Sequence, residues 1–303
     1  MNQNIYDKLT QILPSAQIKA DEPMKNHITF RVGGPADVYV IPKTKEELLQ
    51  IITSCKEENV PYYIIGNGSN LLVGDKGYRG VIIQIFKEMN EIICEGNIIR
   101  AQAGALLSQV AAKALEQSLT GFEFAAGIPG TLGGACVMNA GAYGGEMKDV
   151  LKEVTVLTDE GEFLTIPKEE LELGYRTSVI AKKGYIVVEA VLELKSGNAD
   201  EIRAYMDELK EKRITKQPLE YPSAGSTFKR PEGYFAGKLI QDADLRGFQV
   251  GGAQVSEKHC GFVINKDHAT AADIVELMQQ VSDRVEEKFG VKLEPEVKRL
   301  GEF

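Results

Sequence analysis

The sequence predicts an α+β fold in three parts, and three observations carry that prediction. A strand–helix–strand passage over residues 35–65 ends in a glycine turn, the opening of an α/β unit. From residue 81 to residue 101, and again from 154 to 194, the pattern changes to short runs of β-branched residues broken by polar turns. After Ser196-Gly197-Asn198 a highly charged helix begins a region of its own. A chain of 303 residues has room for two or three cores, and the expected division is 1–75, 76–197 and 198–303.

Each element follows from local pattern. Ile5, Leu9, Ile12 and Leu13 recur at helical spacing, so an amphipathic helix rather than a signal peptide is expected first. Ile28 to Ile41 reads as two short strands around a Gly33-Gly34-Pro35 turn. Thr44, with Glu47 three residues on, caps a helix whose apolar face is Leu48, Leu49, Ile51 and Ile52. Tyr62 to Ile65 is a short buried strand running into G-N-G-S-N at 66–70. Three strands follow, V-I-I-Q-I from 81, E-I-I-C from 91 and N-I-I-R-A from 97, and then a helix over 106–117. Val154–Leu157 and Phe163–Ile166 flank the turn Asp159-Glu160-Gly161, and Tyr185–Leu194 is the strongest strand in the chain.

In the third region, residues 199–214 form a helix with Ile202, Tyr205, Met206 and Leu209 on one face. A proline-rich turn spans 217–226, a short helix 234–241, and a small strand cluster ends at Phe262-Val263-Ile264. Thr270 and Asp273 cap a long helix to Phe289, and 291–300 is expected as a closing strand.

Bulk properties narrow the function. A net charge of −9 and a pI near 5.1 argue against a nucleic-acid partner, while small anionic ligands stay compatible where positive groups are local. The four cysteines are scattered without a C-x-x-C pair, the habit of reduced thiols in a cytoplasmic protein. The three histidines do not cluster, so no metal site is expected. No apolar run approaches the ~20 residues that span a bilayer, so no membrane insertion is expected either.

The densest signal is Gly127 to Gly145, where seven of nineteen residues are glycine. That density costs too much backbone entropy for an ordinary helix or strand, and bare N–H groups in tight turns form anion-binding nests. The interleaved Ile128, Leu132, Val137 and Met138 argue against a solvated linker. The loop at 66–70 is a second nest. Leu71 stands where a Rossmann fingerprint has its third glycine, strands rather than a helix follow, and no Lys completes a Walker loop. Two such nests in one α+β unit suit a dinucleotide whose pyrophosphate lies between them.

I-G-N-G-S-N-L-L-V (65–73), G-I-P-G-T-L-G-G-A (127–135) and N-A-G-A-Y-G-G-E (139–146) closely resemble the flavin-binding segments of the UDP-N-acetylenolpyruvoylglucosamine reductase (MurB) family. The resemblance runs from about His27 to the C-terminus. It includes T-F-R-V-G-G-P-A (29–36), Y-R-T-S (175–178), G-S-T-F-K-R-P (225–231) and E-P-E-V-K-R-L-G (294–301), in order. It implies a vanillyl-alcohol-oxidase (PCMH)-type FAD-binding domain of two subdomains plus a C-terminal α+β substrate-binding domain.

The resemblance also implies chemistry. FAD would be held by Gly66, Asn67, Gly68, Ser69, Asn70, Gly127, Ile128, Pro129, Gly130, Gly133, Gly134, Asn139, Gly141, Ala142, Tyr143 and Val187. NADPH would reduce it, and UDP-N-acetylglucosamine enolpyruvate would be converted to UDP-N-acetylmuramate in cytoplasmic, bacterial peptidoglycan synthesis. Arg176 matches the family arginine that meets the enolpyruvyl carboxylate, a task suited to a planar fork of donors. Ser226 matches the serine that donates a proton to the carbanion-like carbon. Glu296 matches the acid that polarises the same region, which requires a retained proton and hence a closed site.

Tyr175, Arg213, Lys229, Arg230 and Lys238 are the expected substrate contacts, and His259 is expected to be structural. Outside the motifs, Arg176 would read as a surface charge, Ser226 as a turn residue and Glu296 as a solvated tail carboxylate. Two rivals are an oxidase of the same FAD fold, which would not need this trio, and a nucleotide-binding module without catalysis. One departure stands out. Some members carry an inserted tyrosine loop after the Y-R motif, and the strand from Tyr185 leaves no room for it here, so the chain resembles the shorter type.

Overall fold

The computed structural model describes residues 2–303. Helix α1 (Gln3–Ile12) is capped by the Asn2 side chain, which accepts the Asn4 N–H at 3.1 Å, and it buries Ile5 and Leu9. Strands β1 (Ile18–Pro23) and β2 (Pro35–Val40) follow, then helix α2 (Lys45–Glu57), β3 (Tyr62–Ile65), β4 (Leu71–Val73) and β5 (Tyr78–Gln84). The first sheet has the order β1-β2-β5-β3, with β2 and β3 both parallel to β5 and β1 antiparallel at the edge. This sheet therefore runs on to Gln84.

Residues 28–32, expected as a strand, are irregular. Ile28, Phe30 and Val32 alternate into the core as strand residues would, but Arg31 at φ +56° breaks the extended backbone. The partner of β2 is instead the polar segment β1, whose I-K-A-D-E-P carries little periodic signal.

Next come β6 (Ile92–Glu95), β7 (Ile98–Gln102), α3 (Leu107–Glu116), β8 (Leu119–Thr120), α4 (Leu132–Met138), β9 (Gly141–Ala142) and β10 (Gly145–Glu146). They are followed by β11 (Leu151–Leu157), β12 (Phe163–Pro167), α5 (Val179–Lys183) and β13 (Ile186–Glu193). The second sheet is antiparallel throughout, in the order β12-β11-β13-β7-β6. The glycine-rich segment does contain a helix, against expectation. In α4 the glycines serve close packing: a Cβ on Gly133 would lie 2.9 Å from that of Ala103, so only a bare backbone lets this turn approach so closely.

The third region holds β14 (Lys195–Ser196), α6 (Ala199–Lys216), α7 (Ala236–Asp242), β15 (Gln249–Val250), β16 (Ala253–Val255), β17 (Val263–Asn265), α8 (Ala271–Phe289) and β18 (Lys298–Leu300). Asn198 caps α6 by accepting from the N–H groups of Asp200 and Glu201. Thr270 and Asp273 cap α8 reciprocally. The closing strand is shorter than expected, three residues, and it lies parallel to β4.

Two cores form, and the first sheet is their common wall. Val38, Val40, Val81 and Ile83 face one core with α1, α2 and the second sheet. Tyr39, Ile65 and Ile82 face the other with α7 and α8. Burial on both sides is what the run V-I-I of β5 requires. Among the described residues no helix is long and apolar enough to cross a membrane.

Candidate active site

The two glycine loops meet. A Cβ on Gly66 would lie 2.2 Å from Thr131 Oγ1, so the backbone at the end of β3 presses on the residue that opens α4. Asn67 Nδ2 donates to the Pro129 carbonyl at 2.8 Å. Gln84, buried at 3%, donates to the Gly66 carbonyl at 2.9 Å and accepts from the Tyr39 hydroxyl, so the loop is oriented from beneath. The Gly68 carbonyl accepts from Thr29 N–H. Among the described residues, the N–H groups of Asn67, Gly68, Ser69 and Asn70 donate to no protein acceptor. Four such groups in one turn form an anion-binding concavity.

The same turn reaches the C-terminal segment. Asn70 Nδ2 donates to the Glu296 carbonyl at 3.3 Å, and Lys298 N–H donates to the Asn70 carbonyl at 3.0 Å. Residues 227–229 run antiparallel to 294–296: Glu296 N–H donates to the Thr227 carbonyl and Lys229 N–H to that of Glu294, both at 2.8 Å. Ser226 is the exposed residue just ahead of this pairing. Thr227, fully buried, is fixed on its other side, accepting from Val263 N–H at 2.8 Å and donating to the Gly261 carbonyl at 2.9 Å.

Arg176 arrives from the second region on a two-residue turn. Gly174 and Thr177 exchange both backbone hydrogen bonds, leaving Tyr175 and Arg176 at the tip, with Arg176 held at φ +54°. A left-handed arginine is uncommon and marks a position over-determined by its surroundings. Its surroundings are plain: Arg176 Nε donates to Glu296 Oε1 at 2.6 Å, with the carboxylate side chain only 10% exposed. Burial pushes the Glu296 carboxyl above the ordinary carboxylate range, and the Arg176 charge opposes that without cancelling it.

Asn139 joins this turn to the glycine segment. Left-handed at the end of α4, it donates to Glu146 Oε2 at 2.6 Å and to the Gly174 carbonyl at 3.1 Å, and accepts from Lys148 N–H. Its side chain is spent inside the protein, as is the Gly133 N–H, which donates to Ala103. Both therefore work by positioning the site. Val187 is 4% exposed within β13, in the core under α4.

Five cations and rings were expected at the substrate. Tyr175 Oη accepts the Arg230 N–H at 3.0 Å, and Lys229 pairs with Glu294 at 3.0 Å, so these three residues gather beside Arg176 and Glu296. Lys238 is not brought there by any contact; it pairs with Asp242 one turn along α7. Arg213 reaches from α6 to the other glycine loop, where a Cβ on Gly127 would sit 2.7 Å from its Nε, and lies over the Tyr143 ring at 5.7 Å. His259 Nδ1 accepts from Gly261 N–H, and burial lowers its pKa. Sequence reasoning missed Thr131, Gln84 and Tyr39. A Gln inside V-I-I-Q-I was the one available signal, since a polar side chain on a buried strand must find a partner.

Comparison with known proteins follows the same two-part division of chemistry. Residues 36–167 match the model of the FAD binding domain, and residues 217–300 that of the UDP-N-acetylenolpyruvoylglucosamine reductase C-terminal domain. The UDP-N-acetylenolpyruvoylglucosamine reductase of Agathobacter rectalis is 57% identical over 315 aligned residues that cover 100% of both chains. The chain belongs to the UDP-N-acetylenolpyruvoylglucosamine reductase family. Membership makes it a FAD-dependent oxidoreductase. The crystal structure of the family member from Thermus caldophilus superposes with a TM-score of 0.76 at 36% identity, covering 92% of this chain and 97% of that one. A glucose dehydrogenase, Phl p 4.0202, shares only the fold, with a TM-score of 0.50 at 12% identity over 93% of this chain and 58% of its own. The vanillyl-alcohol-oxidase-type architecture is thus common to both.

The residues present fit FAD. The uncommitted N–H groups of 67–70 can donate to a pyrophosphate, and the bare contact of Gly66 with Thr131 leaves no side chain in the way.

Proposed function

We propose that this chain reduces UDP-N-acetylglucosamine enolpyruvate to UDP-N-acetylmuramate with NADPH as electron donor, in the cytoplasmic synthesis of peptidoglycan in a bacterium. The chemistry supplied by bound FAD is two-electron transfer, with hydride accepted from NADPH and passed to the enolpyruvyl double bond. Residues 66–70 and 127–131 would hold the cofactor pyrophosphate, with Arg213 beside Gly127 and Tyr143 as a cation of the cofactor side. This moves Arg213 from the expected substrate contacts to the flavin cradle. The expected parts 1–75 and 76–197 would then hold the flavin, with the first sheet running on to Gln84, and 198–303 would receive the sugar nucleotide.

The observation that carries the reading is the part-buried pair of Arg176 and Glu296, tied through Asn70 to the 66–70 loop. Arg176 would bind the substrate carboxylate and spread the charge that develops there, a preorganised stabilisation. Glu296, displaced from Arg176 by that carboxylate and kept from water, would hold a proton and polarise the same group. Ser226, exposed at the head of the 227–229 pairing, would deliver its proton to the adjacent carbon.

Rapid-mixing flavin spectroscopy tests the proposal. NADPH should bleach the flavin absorbance, and the enolpyruvyl sugar nucleotide should restore it in a second, separable phase. A flavin that NADPH reduces but the sugar nucleotide cannot reoxidise would overturn the assignment.

A further inference from the structure

Gln84 closes the buried run of β5, on the face that Ile82 shares with its neighbour Tyr39. A buried amide loses hydration and rotamer freedom that an aliphatic side chain there would not. Both of its polar atoms are matched. Oε1 accepts from the Tyr39 hydroxyl, and Nε2 donates to the Gly66 carbonyl at 2.9 Å. Tyr39 is 1% exposed, and burial, helped by the Glu22 charge, raises its pKa, so the hydroxyl keeps the proton it donates. The amide therefore has one orientation, with its N–H turned to the loop.

The consequence lies in the peptide plane. Among the described residues no peptide bond is cis, so each carbonyl points opposite to the N–H of the residue that follows. With the Gly66 carbonyl drawn onto Gln84, the Asn67 N–H is turned away from the sheet. The Gly68 carbonyl is drawn to Thr29 N–H at 3.2 Å, which fixes the Ser69 N–H in the same manner. Among the described residues neither N–H donates to a protein acceptor. The two anchors differ in kind. Thr29 supplies backbone, whereas Gln84 supplies a side chain, and it acts on a glycine, whose peptide plane no Cβ restrains.

We propose that Gln84, held by Tyr39, is a positioning residue for the cofactor, locking the 66–67 peptide with its N–H toward the pyrophosphate and its carbonyl away. The role rests on the reading of 66–70 as the loop that holds the flavin pyrophosphate. Gln84 acts through Gly66, and Tyr39 acts through Gln84. Without the lock the plane is free to turn, and a carbonyl oxygen facing an anion repels where an N–H attracts. A side chain beneath the sheet edge thereby sets how tightly the loop above it binds FAD.

Titration of FAD into the apoprotein, followed by flavin fluorescence, is the test. Gln84→Met keeps the length and loses both polar atoms, and FAD should bind about 10- to 100-fold more weakly, the worth of a hydrogen bond to a charged group. Gln84→Glu gives a readout that packing alone would not. A protonated carboxyl accepts from Tyr39 and donates to Gly66 as the amide does, whereas a carboxylate sets two acceptors against the Gly66 carbonyl. Burial holds that proton above the ordinary carboxylate range. The FAD dissociation constant of Gln84→Glu, divided by that of wild type, should therefore be near one at about pH 5 and rise steeply toward about pH 8. The division removes the charges of Lys19, Glu22 and His27, which gather at the Tyr39 ring. Tyr39→Phe should weaken FAD in the wild-type background and add nothing in Gln84→Met. Ile99→Val, one methylene fewer in the other core, should lower the denaturant midpoint and leave FAD affinity unchanged, which separates stability from positioning. FAD affinity within about twofold of wild type in Gln84→Met, or a Gln84→Glu ratio flat with pH, refutes the positioning role and leaves the flavin loop standing. Should Gln84→Met not fold, the Gln84→Glu profile decides. A wild-type protein that binds no FAD refutes instead the reading of 66–70 on which the role rests.

Discussion

At Glu296 two forces act on one carboxyl. Burial disfavours its charged form and Arg176, 2.6 Å away, favours it; burial prevails, so the folded pKa lies above that of the unfolded chain. A carboxyl of this kind binds its proton more tightly folded than unfolded. Its stabilising contribution is therefore complete below the ordinary carboxylate range and is lost as pH rises through the raised folded value. Glu296→Gln, with no proton to lose, should remove that decline, and chemical denaturation of both proteins from pH 4 to pH 8 measures it. A parallel decline in the two proteins would mean the carboxyl is not raised. For Ser226→Ala, general acid groups contribute roughly 10²–10⁴-fold, so reoxidation by the enolpyruvyl sugar nucleotide should slow by about that factor. Flavin reduction by NADPH protonates no carbon and should stay near its wild-type rate; an equal fall in both phases would refute the proton-donor role. The trio was legible only as motif. Nothing in the spacing of 176, 226 and 296 says that a left-handed turn, an antiparallel pairing and a parallel strand would bring these segments together.

Elements were legible where their hydrophobic period matched their partner's. The runs at 62–65, 81–85 and 97–101 each became a strand: residues 80–84 are buried on both faces, while 98–102 alternates, with Ile99 and Ala101 in and Arg100 out. The period misled at 28–32, where alternation satisfied a core but no neighbouring strand existed, and it was silent at 18–23. The helix α4 was hidden by its own glycines. Its stability comes from contact with Ala103 and β13 rather than from propensity, which single-residue preference cannot anticipate. Helix α8 shows the opposite case, with a capping box visible in the sequence and a second cap that is not. Asp75, about two hundred residues earlier, accepts from the Ala271 and Ala272 N–H groups at 2.8 and 3.0 Å. Asp75→Ala should cost about 1–2 kcal/mol, the worth of a side-chain cap with charge at a helix N-terminus. Asp75→Asn should recover part of it, since one acceptor remains. Denaturant midpoints at constant slope would measure both, and an Asp75→Ala protein as stable as wild type would show that Thr270 alone suffices.

The molecule as a whole turns on the first sheet, the wall shared by both cores. The 66–70 loop hangs from β3, the C-terminal strand β18 pairs with β4 just beyond that loop, and Glu296 stands two residues before β18. The proposed cofactor cradle and the proposed substrate-facing segment therefore rest on one support. A defect in the wall should reach both. Ile82 is fully buried on the face toward α7 and α8, while its neighbours Val81 and Ile83 face the other core. Ile82→Ala leaves a cavity that should cost about 2–5 kcal/mol. Because Gln84 on the same strand holds the 66–70 loop proposed to carry the flavin, far-UV circular dichroism and the rise of released-flavin fluorescence should shift together in urea, as one transition. Ile99→Ala, fully buried in the other core and away from the wall, should lower stability comparably and also move both probes, since a flavin-holding core cannot melt without its support. Two separated transitions in Ile82→Ala, with the flavin retained through the first, would show that the C-terminal core unfolds alone and that the wall does not couple the two.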